Sequence, residues 1–108
     1  MEEDNKTATA GRMLLDDDLL VVAMEFIDDE LETAVVKFPE WPVHMFEGFG
    51  ILQEEVGEIV QAMNNMHWSD TADLNDVIKE TAQAGAMCLR FIQYLLMLQG
   101  GEVGNAKP

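Results

Sequence analysis

The chain lacks several features that extracellular, membrane-spanning or nucleic-acid-binding proteins need. Cys88 is its only cysteine, so an intramolecular disulfide and a cysteine-based zinc site are excluded. Lys and Arg number six against 21 acidic residues, which gives a formal net charge of −15. This charge repels DNA, RNA and anionic membranes, so we expect neither nucleic acid nor a membrane as a partner. It leaves open a nucleotide that arrives as its magnesium complex.

Neither a signal peptide nor a transmembrane segment is indicated by the sequence. Residues 1–12 lack the order of basic then apolar residues that a signal peptide has. No apolar run approaches the roughly 20 residues that span a bilayer. We therefore expect a cytoplasmic protein.

The length of 108 residues predicts one small domain, and 48% of the residues are hydrophobic. We expect a mobile tail over residues 1–16, a helical domain over 17–99 and a second tail over 100–108. A domain of this size buries only about two thirds of its unfolded surface, so association with further copies would add stability.

Three helices are predicted from apolar residues at helical spacing. The first begins near Asp16–Asp18 and ends near Val36, although "LLVVAMEF" is also compatible with a strand. The second spans about 43–65 and the third about 72–99, with Ser69 or Thr71 as its N-cap. The expected buried faces are Met24, Ile27, Leu31, Ala34 and Val35 in the first helix, Phe46, Phe49, Leu52, Val56, Ile59, Val60 and Met63 in the second, and Val77, Ala84, Met87, Cys88, Phe91, Tyr94, Leu95 and Leu98 in the third. The fold class is therefore an all-α bundle of three main helices, and the many-sided apolar end of the third suggests a subunit interface.

Two local features of the second helix need an explanation. The two prolines of "KFPEWP" force an extended connection before it, which carries Phe38 and Trp41. Gly48, Gly50 and Gly57 each cost up to about 1 kcal/mol relative to alanine in a helix. They suggest that a backbone or a ligand comes close.

The acidic residues of "EEVGE" lie opposite the apolar stripe of the second helix. On its own this pattern is typical of a solvated helix face. However, no Lys or Arg occurs between Lys37 and Lys79 to relieve the repulsion. The third helix carries a matching stripe at Asp76, Glu80, Gln83 and Met87.

If the second and third helices pack antiparallel, Glu55, Glu58 and Glu80 converge. Two unit charges about 4 Å apart repel by about 4 kcal/mol at an effective dielectric near 20, so such a cluster needs a proton, a base or a cation. Hard oxygen ligands without cysteine favour Mg²⁺, with Mn²⁺ as an alternative.

These segments resemble the MazG-like all-α nucleoside triphosphate pyrophosphohydrolases over about residues 30–95. "EEVGE" resembles the first half of their ExxE and ExxD signature, and "KETAQAGAMCLRFI" resembles the second half, with Glu80 as its glutamate. The chain departs from the signature at Gln83, where the family has aspartate. Glutamine can coordinate a metal but cannot act as a base. Asp76 and Glu54 are possible substitutes.

The resemblance implies hydrolysis of a nucleoside triphosphate to a monophosphate and pyrophosphate. It implies metal ligands at Glu55, Glu58, Glu80 and Gln83, and a homodimer or homotetramer. Glu54 is the candidate for orienting or deprotonating the attacking water. Lys79 is a candidate for contacting a phosphate, although an exposed helix lysine is the more frequent explanation of such a residue.

Base recognition is a more open question. Trp41, Phe38 and Phe46 are candidates for stacking near His44, yet each residue type also packs in cores and loops. His67 and Trp68 lie in a connection that another subunit could use. Two other hypotheses for the function remain. The protein is a non-catalytic interaction protein that keeps this fold, or it is an acidic adaptor or antitoxin-like partner that uses its Met-rich apolar surface.

Overall fold

The computed structural model describes residues 11–101, which form three α-helices. Helix α1 spans Asp17–Lys37, helix α2 spans Met45–Asn64 and helix α3 spans Leu74–Gly100. No β-strand occurs among the residues described, and the segment that was compatible with a strand is part of α1. The prediction of an all-α fold with three main helices is confirmed.

Most of the two predicted tails, residues 1–10 and 102–108, lies outside the described residues. Residues 11–16 are exposed and precede α1, whereas Gly100 is the last residue of α3. In the part of the chain that the structure describes, no helix is both long enough and apolar enough to cross a membrane.

Helix α1 begins and ends where its sequence predicts. The side chain of Asp16 caps the helix by accepting hydrogen bonds from the backbone N–H groups of Asp18, at 2.7 Å, and Leu19, at 3.2 Å. Acidic side chains in this first turn also interact favourably with the helix dipole. The helix ends at Lys37, because Phe38 precedes a proline and is therefore displaced from the helical conformation.

The start of α3 differs from the prediction. A short π-helical turn, Asn65–Ser69, follows α2, and Asp70 then adopts a left-handed conformation with φ of 54°. The N-cap of α3 is Asp73, not Ser69 or Thr71. Asp73 accepts from the Asp76 N–H at 3.1 Å, and Asp76 accepts from the Asp73 N–H at 2.8 Å. This reciprocal pair satisfies two backbone donors at once, which a single hydroxyl cannot do.

Helix α3 is the central element, because both α1 and α2 pack against it. Small side chains allow the close approach: a Cβ added at Gly85 would lie 2.9 Å from Ile27 Cδ1. The buried residues of α3 are Ala82, Ala84, Ala86, Met87, Arg90 and Tyr94. The core is therefore thin, and no large side chain among the described residues is fully buried.

Much of the apolar surface expected to be buried is exposed in the single chain. On α2, we call the exposed apolar residues the outer stripe: Phe46, Phe49, Val56, Val60 and Met63. Met24 and Val35 of α1 and Cys88 of α3 are also exposed, contrary to the prediction. Phe46 reaches 82% exposure, so the outer stripe is not part of the core of this chain.

Gly48→Ala is expected to destabilise the protein, because an added Cβ would lie 2.8 Å from Trp41 Nε1. The Trp41 ring is held by Arg90, 5.2 Å from its centroid, and lies beside Phe91, so it cannot shift freely. Overpacking of this kind costs about 1–3 kcal/mol. Thermal unfolding followed by circular dichroism measures the effect.

Gly57→Ala is the matched control, because nothing lies within 4 Å of its added Cβ. Helix propensity alone then applies, and Gly57→Ala is expected to gain up to about 1 kcal/mol. Equal stabilisation by the two substitutions would contradict the close contact at Gly48.

Candidate metal centre and groove

Three carboxylates converge between α2 and α3. Glu55 and Glu58 lie one turn apart on α2, and Glu80 lies opposite them on α3. Each offers one oxygen, and these oxygens all lie within 4.8 Å of one another. Of the acidic residues on α2, Glu55 is half-buried and Glu58 is exposed, while the outer stripe faces away from α3. We call Glu55, Glu58 and Glu80 the carboxylate cluster.

Two oxygens of the carboxylate cluster are buried without a hydrogen-bond partner. They are Oε2 of Glu55 and Oε1 of Glu80. A buried polar atom without a partner costs free energy, more so when it carries charge. Carboxylate oxygens in this arrangement fit a hard divalent cation, which would satisfy both atoms.

The electrostatic environment favours the protonated forms of Glu55 and Glu80. Burial raises the pKa of Glu55, and the charges of Glu58 and Glu80 raise it further. Burial and the charge of Glu58 also raise the pKa of Glu80, while neighbouring Lys79 lowers it. Without a cation, the cluster is therefore under repulsion that a proton relieves.

Beside the carboxylate cluster is a groove of about 710 Å³. Glu55 lines it together with Glu54, Gln83 and Trp41, so four residues predicted for the site share one cavity. The groove combines carboxylates, an amide and an aromatic ring, which suits a ligand with both a metal-binding and a planar part.

Other predicted site residues lie outside the lining of this groove. The Oδ2 atom of Asp76 accepts the Asp73 N–H, so one oxygen of its carboxylate caps α3. Lys79 is exposed beside Glu80. Their roles in substrate binding stay predictions.

Only some of the aromatic residues predicted to bind the base line the groove. Phe38 lines the groove with Trp41, whereas Phe46 belongs to the outer stripe and is exposed. His44 is the N-cap residue of α2. His67 and Trp68 contact each other edge to face, 4.4 Å between ring centroids, in the π-helical turn.

Sequence reasoning missed Glu30, Lys37, Glu40 and Arg90, all of which line the groove. Glu30 was detectable, because it lies between Ile27 and Leu31 on the face of α1 that packs inward. Arg90 was detectable too, since it extends the stripe of Gln83 and Met87 by one turn. The burial of Arg90, which is only 8% exposed, could not be detected from the sequence.

Comparisons of the chain with protein-family models, curated proteins and solved structures find no match. The fold and the geometry define an all-α three-helix protein with a carboxylate cluster beside a groove.

The metal-free protein is expected to lose stability as the pH rises. A carboxyl with a raised pKa binds its proton more tightly in the folded state, so its stabilisation is full below the ordinary value of 4.5 and is lost as the pH rises through the folded pKa. Melting temperatures in EDTA should therefore fall as the pH rises above the ordinary value of 4.5.

Glu55→Gln should flatten this dependence, because it removes one of the two groups with raised pKa. Glu47→Gln on the same helix is the control and should follow the wild type. Parallel pH profiles for the wild type and Glu55→Gln would refute the prediction.

Proposed function

We propose that the protein is a metal-dependent nucleoside triphosphate pyrophosphohydrolase of the MazG-like type. The observation that carries the proposal is the convergence of Glu55, Glu58 and Glu80 within 4.8 Å at the edge of a groove of about 710 Å³. The resemblance of "EEVGE" and "KETAQAG" to the two halves of the family signature supports it. The proposal includes the cytoplasmic location expected from the sequence.

The carboxylate cluster would hold Mg²⁺, or Mn²⁺, with the side-chain oxygen of Gln83 as a further ligand. The two unpartnered buried oxygens in the cluster and the absence of sulfur and nitrogen ligands support this choice of metal. When bound, the metal supplies charge neutralisation for the triphosphate and for the leaving pyrophosphate.

The chain's own residues would orient the reactants. Water attacks the α-phosphorus, the bond from that phosphorus to the bridging oxygen breaks, and pyrophosphate leaves with the bond's electron pair. Glu54, which lines the groove beside Glu55, would accept the water proton. Gln83 cannot take that role, because an amide is not a base near neutral pH.

Trp41 and Phe38 would bind the planar base in the groove, and Lys37, a lining residue, adds a cation for phosphate. Lys79 and Asp76 stay candidates for contacts at the carboxylate cluster, since both influence the pKa of Glu80.

Association with further copies is the second part of the proposal. The outer stripe is a contiguous apolar surface on one helix, and soluble monomers rarely expose large surfaces of this kind. A second copy would cover the stripe, in a homodimer or in a homotetramer built from two dimers.

A non-catalytic interaction protein is the alternative function. Gln83 and the exposed outer stripe favour it, because the first weakens the family's acidic signature and the second suits a protein partner. A stable one-to-one complex with a different protein, together with no nucleotide turnover, would support this alternative.

The test incubates the purified protein with each of the eight common nucleoside triphosphates and Mg²⁺. Equimolar release of pyrophosphate and monophosphate from at least one nucleotide is expected, and EDTA should stop it. Failure with all eight at high protein and metal concentrations would refute the proposed activity.

A further inference from the structure

The connection between α1 and α2, residues 38–44, is tied to α3 by two buried side chains. Arg90 Nη2 donates to the backbone oxygens of Phe38, at 2.6 Å, and Glu40, at 3.3 Å. The Tyr94 hydroxyl donates to the backbone oxygen of Val43 at 2.6 Å. Exposures of 8% for Arg90 and 5% for Tyr94 mean that both anchors lie within the packed part of the molecule.

These anchors flank Trp41 and fix its ring. The Arg90 guanidinium lies 5.2 Å from the centroid of the Trp41 ring, and the Phe91 ring lies 6.4 Å from it. Gly48 gives the ring room against α2. Residues of α3 therefore hold in place the groove wall that Phe38 and Trp41 of the connection form.

Arginine suits this position for a chemical reason. A guanidinium donates in its plane while its face stacks on an aromatic ring, which an ammonium group cannot do in the same way. Burial of a charged group is costly, so an aliphatic side chain would serve better if packing were the only need. Arg90 also lines the groove, so its contacts act directly on the groove's shape.

We infer that Arg90 is a positioning residue that holds Trp41 and Phe38 as the wall of the groove and thereby sets the affinity for the nucleotide base. This inference rests on the proposed function. Arg90 acts through the connection, whereas the carboxylate cluster acts on the phosphates, so the two are separable by experiment.

The first arm of the test measures the fluorescence of Trp41 in the absence of nucleotide. In a Trp68→Phe background, Trp41 is the only tryptophan, because the chain has two. Arg90→Met is expected to shift its fluorescence emission to the red and to raise acrylamide quenching about twofold, since the ring loses the guanidinium that stacks on it and becomes mobile. Arg90→Lys should fall between the parent and Arg90→Met.

The second arm measures kinetics with the nucleotide cleaved fastest in the screen. Arg90→Met should raise KM about 10-fold and change kcat by less than about twofold, because only binding of the base is weakened. A general loss of folding would instead lower kcat by the unfolded fraction and leave KM unchanged. Gln93→Met, an exposed position on the same helix, should match the parent in both arms.

The outcomes separate the inference from the proposed function. If the parent cleaves no nucleotide, the proposed function fails, while the fluorescence of Trp41 still decides whether Arg90 holds it. Unchanged emission and quenching in Arg90→Met overturn the inference, as does a normal KM. Should Arg90→Met fail to fold, Arg90→Lys decides: parent-like quenching overturns the inference, and intermediate quenching supports it.

Discussion

Glu58→Gln and Glu80→Gln are each expected to reduce pyrophosphate release by at least about 100-fold, the scale of losing one preorganised charged group from a catalytic site. Each substitution keeps the shape of the side chain and removes one negative charge from the carboxylate cluster. Because three carboxylate oxygens lie within 4.8 Å of one another, we expect each of them to contribute to the proposed cation site. Steady-state turnover at saturating Mg²⁺ measures the effect.

The same substitutions should leave helicity intact, and Glu80→Gln should raise the melting temperature of the metal-free protein. In the absence of a cation, burial and the charge of Glu58 both disfavour the ionised form of Glu80, and they raise its pKa. A variant that is more stable yet inactive cannot owe its inactivity to unfolding. A gain in stability together with a loss of activity is typical of substitutions at functional sites, where activity requires an arrangement that destabilises the fold.

Glu47→Gln provides the matched control, because it removes the same charge from α2 outside the groove lining and the carboxylate cluster. It should retain wild-type turnover. If Glu58→Gln and Glu80→Gln also retain full turnover, the metal site has been assigned to the wrong residues, even if the enzyme class is right.

The helices were predictable from the sequence because local periodicity and breakers determine them. Predicted bounds of about 16–36, 43–65 and 72–99 lie within two residues of α1, α2 and α3. The convergence of the carboxylate cluster was also predictable, since antiparallel packing of two helices with aligned polar stripes brings Glu55 and Glu58 close to Glu80.

The direction in which each face of α2 points was harder to predict from the sequence. Amphipathicity shows that a helix has two unlike faces, but not whether its apolar face packs in its own chain or against another. In this chain, Glu55 packs toward α3 and Phe46 points away. The usual rule that apolar residues pack within their own chain therefore fails for the outer stripe of α2.

Contacts between segments that are distant in the sequence were the hardest feature to predict. Arg90 bonds to Phe38 and Glu40 across about half of the chain, and no local pattern specifies those carbonyl acceptors. The N-cap of α3 was also hard to predict, because several residues that can cap a helix lie within five positions before it. The π-helical turn that precedes α3 places Asp73 in that position.

Val60→Glu is expected to dissociate the proposed oligomer. Val60 lies in the outer stripe and is 52% exposed in the single chain, so a second copy that covers the stripe would bury it. A buried, unpaired charge costs about 3–5 kcal/mol, which corresponds to a rise in dissociation constant of about 100-fold or more. Sedimentation velocity over a concentration series measures this change, and the melting temperature should fall with it.

Gln61→Glu tests whether charge alone explains that result. It adds the same charge to the adjacent position of α2, but Gln61 is exposed and outside the outer stripe. Because the formal charge is already −15, general repulsion between copies would weaken both variants alike. Dissociation by Val60→Glu alone therefore locates the interface on the outer stripe. Equal behaviour of the two variants, or a wild-type protein that sediments as a monomer at all concentrations, would contradict a second copy on this face.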